Sequence, residues 1–173
     1  AGGHRVLVDP GTSVYSSDPA ERNLFRSTAM HNTVKVDGVE INEIPANLFC
    51  MGRQAEVWVE KWETEGERYC FIGEHNGYSR LAQPVRHRRQ VNYEPEKRVW
   101  TIIDELSGEG EHVAEWNWHF PTASGASIRS NSDRLTVDVG PTDMVFELGE
   151  SSSFEFSLAD SERALSYGVK SPS

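Results

Sequence analysis

Only two cysteines occur in the 173 residues, Cys50 and Cys70, and their separation fits neither a zinc-ligand nor a redox spacing. They read as buried thiols rather than a disulfide, so a packed core must hold the fold, and a chain of this length can bury one. No apolar run approaches the roughly 20 residues needed to span a bilayer. Basic residues are scarce, with 17 Lys and Arg against 27 Asp and Glu and a formal charge of −10. That balance excludes a general nucleic-acid binder, whose affinity for phosphates needs clustered Lys and Arg. Helical periodicity is nearly missing too; the one short candidate is "DPAERNLFR", residues 18–26, with an Asp cap and Pro at the first helical position. Repeats, low-complexity tracts and a linker are absent. Among 27 acids no pair stands out as glycosidase carboxylates.

What fills the chain instead is alternation of period two. Runs such as "HRVLVDPG", "TVKVDGVEI", "AEVWVEKW", "RYCFIGEH", "RVWTIIDEL", "RLTVDVG" and "FEFSLA" are rich in Val, Ile, Trp, Tyr and Phe. Gly, Pro, Asn, Asp and Ser punctuate them, as in "DPGT", "VDGV" and "SGEGE". Many short strands without a βαβ rhythm predict an all-β fold, an antiparallel two-sheet β-sandwich of about ten or more strands with at most one short helix.

Three stretches concentrate polar rings. In "RSTAMHNTVKVDG", residues 26–38, alternation puts Thr33, Lys35 and Asp37 on one face and Val34 and Val36 on the other. His31 shares the polar face, where an imidazole suits proton transfer, metal binding or a structural hydrogen bond. In "GEHNGYSR", His75 and Tyr78 flank an expected Asn-Gly turn. The nearby Arg80, Arg86, Arg88 and Arg89 are cations that could lower the pKa of the phenol for acid or base work, the alternative being a tyrosine that caps a sheet edge. In "PVRHRRQV", Arg86, Arg88 and Gln90 share one face, and Val85, His87, Arg89 and Val91 the other. His87 therefore points inward and needs a partner: a carbonyl, a carboxylate or a metal ion. No tight HxH or HExxH spacing supports a metal. Trp116 and Trp118 share a face near His112 and His119, as packing or as a sugar-stacking platform.

In order along the chain, "VLVDPGTSVY", "RNLFRSTAMHNTVKVDG", "EHNGYSRL", "VRHRRQV", "WTIIDELSGEGEH" and "YGVK" resemble the C-terminal β-domain of the heparinase II/III-like polysaccharide lyases, nearest the heparinase III and oligoalginate lyase branches. The resemblance implies an α/α toroid followed by a β-sandwich, with the cleft between them. This chain, residues 1–173, corresponds to the sandwich alone, a piece of a longer bacterial protein whose toroid is missing here, and is expected to be inactive by itself. The implied reaction is β-elimination on uronate-containing acidic glycans, heparan sulfate-like or alginate-like: a base takes the C5 proton, an acid protonates the departing O4, and Asn, His or Arg groups neutralise the carboxylate.

Matched by position, His31 is implied as a catalytic or a zinc-binding group, Tyr78 as a tyrosine beside the reacting sugar and His87 as a zinc ligand. Substrate contacts are implied for Arg26, Asn32, His75 and Arg88, with the "RHRR" knot of residues 86–89 as the carboxylate anchor. A third, acidic zinc ligand falls among Asp37, Glu40, Glu43 and Glu56. Some relatives carry a further histidine where this chain has Ala29. The implied location is periplasmic or secreted, with the cytoplasm as the alternative. The rival reading is a non-catalytic carbohydrate-binding or structural sandwich, with Trp116, Trp118 and Tyr78 as stacking groups.

Overall fold

The computed structural model describes residues 5 and 7–121 and the strands Ser127–Ser130, Arg134–Asp138, Asp143–Glu147, Glu162–Ser166 and Val169–Pro172. The fold is all-β and antiparallel, of the sandwich class that the alternation predicts, with one short α-helix. The chain divides into two compact units, residues 34–116 and residues 1–33 together with 117–173.

Residues 34–116 are built on a four-stranded meander. Its strands are β2 (Val57–Glu65), β3 (Arg68–Tyr78), β4 (Val85–Glu94) and β5 (Val99–Gly108), neighbours in that order. Two shorter strands, β1 (Val34–Val36) and β6 (Ala114–Trp116), pair with Val34 opposite Trp116. The "VDGV" signal is a tight turn: Asp37 and Gly38 take φ of 51° and 67°, and the Val39 amide returns to the Val36 carbonyl at 2.9 Å. Two successive positive φ values are what a type I′ turn needs, and Asp-Gly tolerates them.

Val34 and Val36 lie on the apolar phase of β1 and are fully buried, as the alternation requires. With Tyr78 and Val85 they form the core, flanked by Ile41, Leu81, Leu106, Ala114 and Trp116. Each buried valine contributes about 1.5–3 kcal/mol relative to exposure. At the far end of the meander, Tyr69, Tyr93 and Trp100 meet across three strands, with Tyr93 and Trp100 rings 4.6 Å apart.

In the other unit, α1 (Pro19–Arg26) begins at Asp18, whose side chain accepts the Glu21 amide, with Pro19 in the first turn and Phe25 buried. The sequence signals for this helix hold. A single 3₁₀ turn, Thr28–Met30, follows and ends at His31. The remaining strands are β7 (Ser127–Ser130), β8 (Arg134–Asp138) and β9 (Asp143–Glu147), paired in that order, and the hairpin β10 (Glu162–Ser166) with β11 (Val169–Pro172).

Three local expectations change. Asn76-Gly77 does not close a hairpin: β3 runs through it to Tyr78 by way of a bulge, and residues 79–84 make the connection. A Cβ on Gly77 would come within 2.9 Å of the Ile41 carbonyl, so the glycine serves close backbone approach rather than a tight turn. Cys50 is exposed, because it sits in the long β1–β2 connection rather than on a strand, and Cys70 is half-buried; the two form no disulfide. Finally, "HRVLVDPG" forms no strand over its described residues; its partners are side chains and a single backbone contact. The "FEFSLA" run lies outside the described residues.

Candidate functional site

Two polar clusters hold most of the residues singled out by sequence, one in each unit. In the unit of residues 34–116, antiparallel pairing sets His75 opposite His87 and Arg89 opposite Asp104. Directly paired residues share a face, and positions two apart return to it, so all four side chains lie on one side of the sheet. The Gly77 amide donates to His75 Nδ1 at 3.2 Å. This places the His75 proton on Nε2, which donates to His87 Nδ1 at 3.0 Å. His87 then carries its own proton on Nε2 and donates it to Asp104 Oδ1 at 2.7 Å.

Asp104 also accepts from Arg89, Nε to Oδ1 at 2.6 Å and Nη2 to Oδ2 at 2.8 Å, and from Trp116 Nε1 at 3.1 Å. The side chains of His87 and Asp104 are 3 % and 6 % exposed. Burial and the neighbouring His87 and Arg89 push His75 down to about 4. Burial pulls the Asp104 carboxyl upward, yet hydrogen bonds from His87 and Arg89 outweigh it and hold the group at about 2. The carboxylate is the inward partner that His87 required.

Both ring nitrogens of His87 are thereby engaged by neighbouring side chains. Among the described residues, no three His, Cys, Asp or Glu side chains are grouped to hold a metal ion. Two of the candidate acids are occupied as well. Asp37 accepts from the Val113 amide at 2.9 Å and meets His112 Nδ1 at 2.7 Å; Glu40 pairs with Lys35 at 2.8 Å. The hydrogen bond with His112 lowers the Asp37 carboxyl and raises the imidazole.

The arginine knot is committed internally. Arg86 pairs with Glu74 at 2.8 Å, Arg88 with Glu60 at 3.0 Å and Glu105 at 3.5 Å, and Arg89 with Asp104. A carboxylate approaching Arg88 would compete with two resident ones. Tyr78 also differs from the expectation. Its ring is fully buried, and its hydroxyl donates to the Val34 carbonyl at 2.7 Å. Burial raises the phenol above its ordinary pKa, and the Arg80 charge is too weak an opposing influence to lower it. The indole of Trp116, tied to Asp104 and packed on the core, offers no stacking platform.

The second cluster lies in the other unit. His31, at the end of the 3₁₀ turn, meets Asp9 through Nδ1 and Oδ2 at 2.8 Å. Their side chains are 40 % and 62 % exposed. Partial burial pulls Asp9 upward, but the hydrogen bonds from His31 and the Gly11 amide bring it below the ordinary carboxylate range. Asn32, next in sequence, donates to the Val8 carbonyl at 2.9 Å and accepts the His119 amide at 2.8 Å. His119 donates from Nε2 to the Ala29 carbonyl at 2.9 Å, and its own carbonyl accepts the Val8 amide at 3.0 Å. Arg26 holds Asn23 at 3.0 Å within α1. His31 is thus a solvent-accessible imidazole oriented by a carboxylate, and Asn32 is the clip that keeps the carboxylate's chain segment in place.

Asp9, Asp104, Arg89 and His119 are the partners that the sequence reading did not single out as such. A sign was present for Asp104: in "WTIIDEL" it falls in phase with Trp100, Ile102 and Leu106, and an acid on an apolar phase calls for a buried cation or donor. Asp9 gave no such sign, since "DPG" already accounts for it as a turn residue.

A family model described as heparinase II/III-like, C-terminal, matches residues 1–172. Among curated proteins, a heparin-sulfate lyase of Bacteroides stercoris is 25 % identical over 138 residues, which cover 78 % of this chain and 18 % of that protein. The chain therefore spans under a fifth of that relative's length. No solved structure matches it significantly.

Proposed function

The chain belongs to the heparinase II/III-like C-terminal family, and from that premise we propose that it is the β-domain of a longer bacterial polysaccharide lyase that cleaves uronate-containing acidic glycans by β-elimination. The single observation that carries this reading to a residue is the His31–Asp9 pair, an exposed imidazole backed by a carboxylate at 2.8 Å, within a chain matched by the family over residues 1–172.

In β-elimination a base removes the C5 proton of the uronate and an acid returns a proton to the departing O4. His31 supplies one of these transfers. Its Nδ1 is taken up by Asp9, so Nε2 is the nitrogen that exchanges a proton with the sugar. The complementary group and the contacts that neutralise the uronate carboxylate come from the remainder of the longer protein. This places fewer demands on the arginines of residues 86–89, each of which already faces an acid among the described residues. The relative's substrate, by its name heparin sulfate, makes heparan-type glycans the first substrates to try and alginate-type glycans the second.

The test is to express the longer protein, incubate it with heparan sulfate and with alginate, and follow ultraviolet absorbance from the unsaturated uronate. Growth of that signal on at least one acidic glycan, with none from the isolated chain, supports the proposal. Activity from the isolated chain contradicts the assignment of a half-site, and no activity on any uronate glycan contradicts the lyase.

A further inference from the structure

We infer that Asp9 is the positioning residue of the His31 site: it fixes the imidazole as the Nδ1–H tautomer and so leaves Nε2 as the nitrogen that exchanges protons. The inference rests on the lyase reading for its catalytic meaning, though not for its geometry.

The two oxygens of Asp9 have separate tasks. Oδ1 accepts the Gly11 amide at 2.9 Å, closing the Asp-Pro-Gly turn, and Oδ2 faces His31 Nδ1 at 2.8 Å. A carboxylate can only accept, so at a pH where the imidazole is neutral its proton sits on Nδ1. The position of Oδ2 is itself built. Pro10, the next residue, is fully buried and its ring fixes the local backbone. Val8, the preceding residue, is held on both sides, its carbonyl by Asn32 Nδ2 and its amide by the His119 carbonyl. Consecutive residues His31 and Asn32 thus grip consecutive residues Asp9 and Val8. His119 closes the loop through the Ala29 carbonyl, two residues before His31. A histidine that merely met a surface acid would not need its partner's neighbours fastened in this way.

Asparagine at position 9 makes a sharp test. The Gly11 amide requires an acceptor, so the single amide oxygen is drawn to it and the NH₂ group turns toward His31. His31 Nδ1 must then accept, and the proton moves to Nε2. Nitrogen chemical shifts of the His31 ring, recorded on the 173-residue chain above the titration range of histidine, report the tautomer directly. The expected result is Nδ1–H in the native chain and Nε2–H in Asp9→Asn. An Nε2–H ring in the native chain overturns the inference, and so does an Nδ1–H ring that persists in both Asp9→Asn and Asp9→Ala. The native spectrum alone decides if the variants do not fold. In the longer protein, Asp9→Asn is expected to lower kcat about 10–100-fold with KM little changed. If that protein proves inactive on every glycan the lyase reading fails, while the tautomer result still stands or falls by itself.

Discussion

His87 and Asp104 face each other on neighbouring strands at 2.7 Å, and the two side chains are the most enclosed ion-pairing groups of the described residues, 3 % and 6 % exposed. The carboxylate accepts from His87, from Arg89 twice and from Trp116, so it ties β4 and β5 to β6 through four donors. Truncating one member of such a cluster leaves the rest buried without compensation. Asp104→Asn is expected to destabilise the chain by about 3 kcal/mol, read as a lower denaturant midpoint at unchanged slope. A midpoint equal to that of the native chain would show that the cluster is not structural.

Acid should loosen the same cluster by way of His75. Its pKa is depressed from 6.5 to about 4, so the unfolded chain binds more protons than the folded one between those values. Stability contributed by the neutral ring is present in full above the unfolded pKa and is lost as pH falls toward 4. The full shift corresponds to about 3 kcal/mol, and about 1–2 kcal/mol once solvent screening of this half-buried ring is allowed for. Thermal melts between pH 7 and pH 4 should show a decline that is shallower in His75→Asn. An equal decline in both proteins would assign the loss to other groups.

Asn32 is a clip before it is anything else. Asn32→Ala removes the donor to the Val8 carbonyl and the acceptor of the His119 amide, at an expected cost of about 1–3 kcal/mol. Hydrogen exchange is the better probe, since the loss should be local: the His119 and Val8 amides should exchange faster while those of β3 and β4 do not change. Uniform acceleration across the chain would argue for a global role instead.

Tyr78 separates the resemblance from the structure. Its hydroxyl is spent on the Val34 carbonyl, in a ring with no exposed surface. Tyr78→Phe is expected to cost about 1–3 kcal/mol in stability and to leave the lyase rate of the longer protein within a few-fold of native. A loss of about 100-fold or more with a folded variant would restore the phenol to the reaction.

Period-two alternation was enough to read the fold class, the buried faces of β1 and β4 and the inward turn of His87, because burial on one face of a sheet is written directly in residue phase. The cap and proline of α1 were equally local and equally legible. The partners were harder. Asp104 lies 17 residues from His87, and Asp9 lies 22 residues from His31; strand register and a loop path bring each pair together, and neither follows from spacing. Tyr78 and the Asn-Gly pair misled for a related reason. A bulge carried β3 past the expected turn and rotated the tyrosine into the core, where burial outweighed the nearby arginines. The arginines of residues 86–89 looked like an anion site because the acids that meet them come from β2, β3 and β5.

The claim on which the account turns is that His31 exchanges a proton with substrate, and turnover of the longer protein with His31→Ala tests it most directly. With folding verified, the account predicts a loss of at least about 100-fold in kcat on whichever acidic glycan the native protein cleaves. A His31→Ala enzyme that forms unsaturated uronate at the native rate would contradict it.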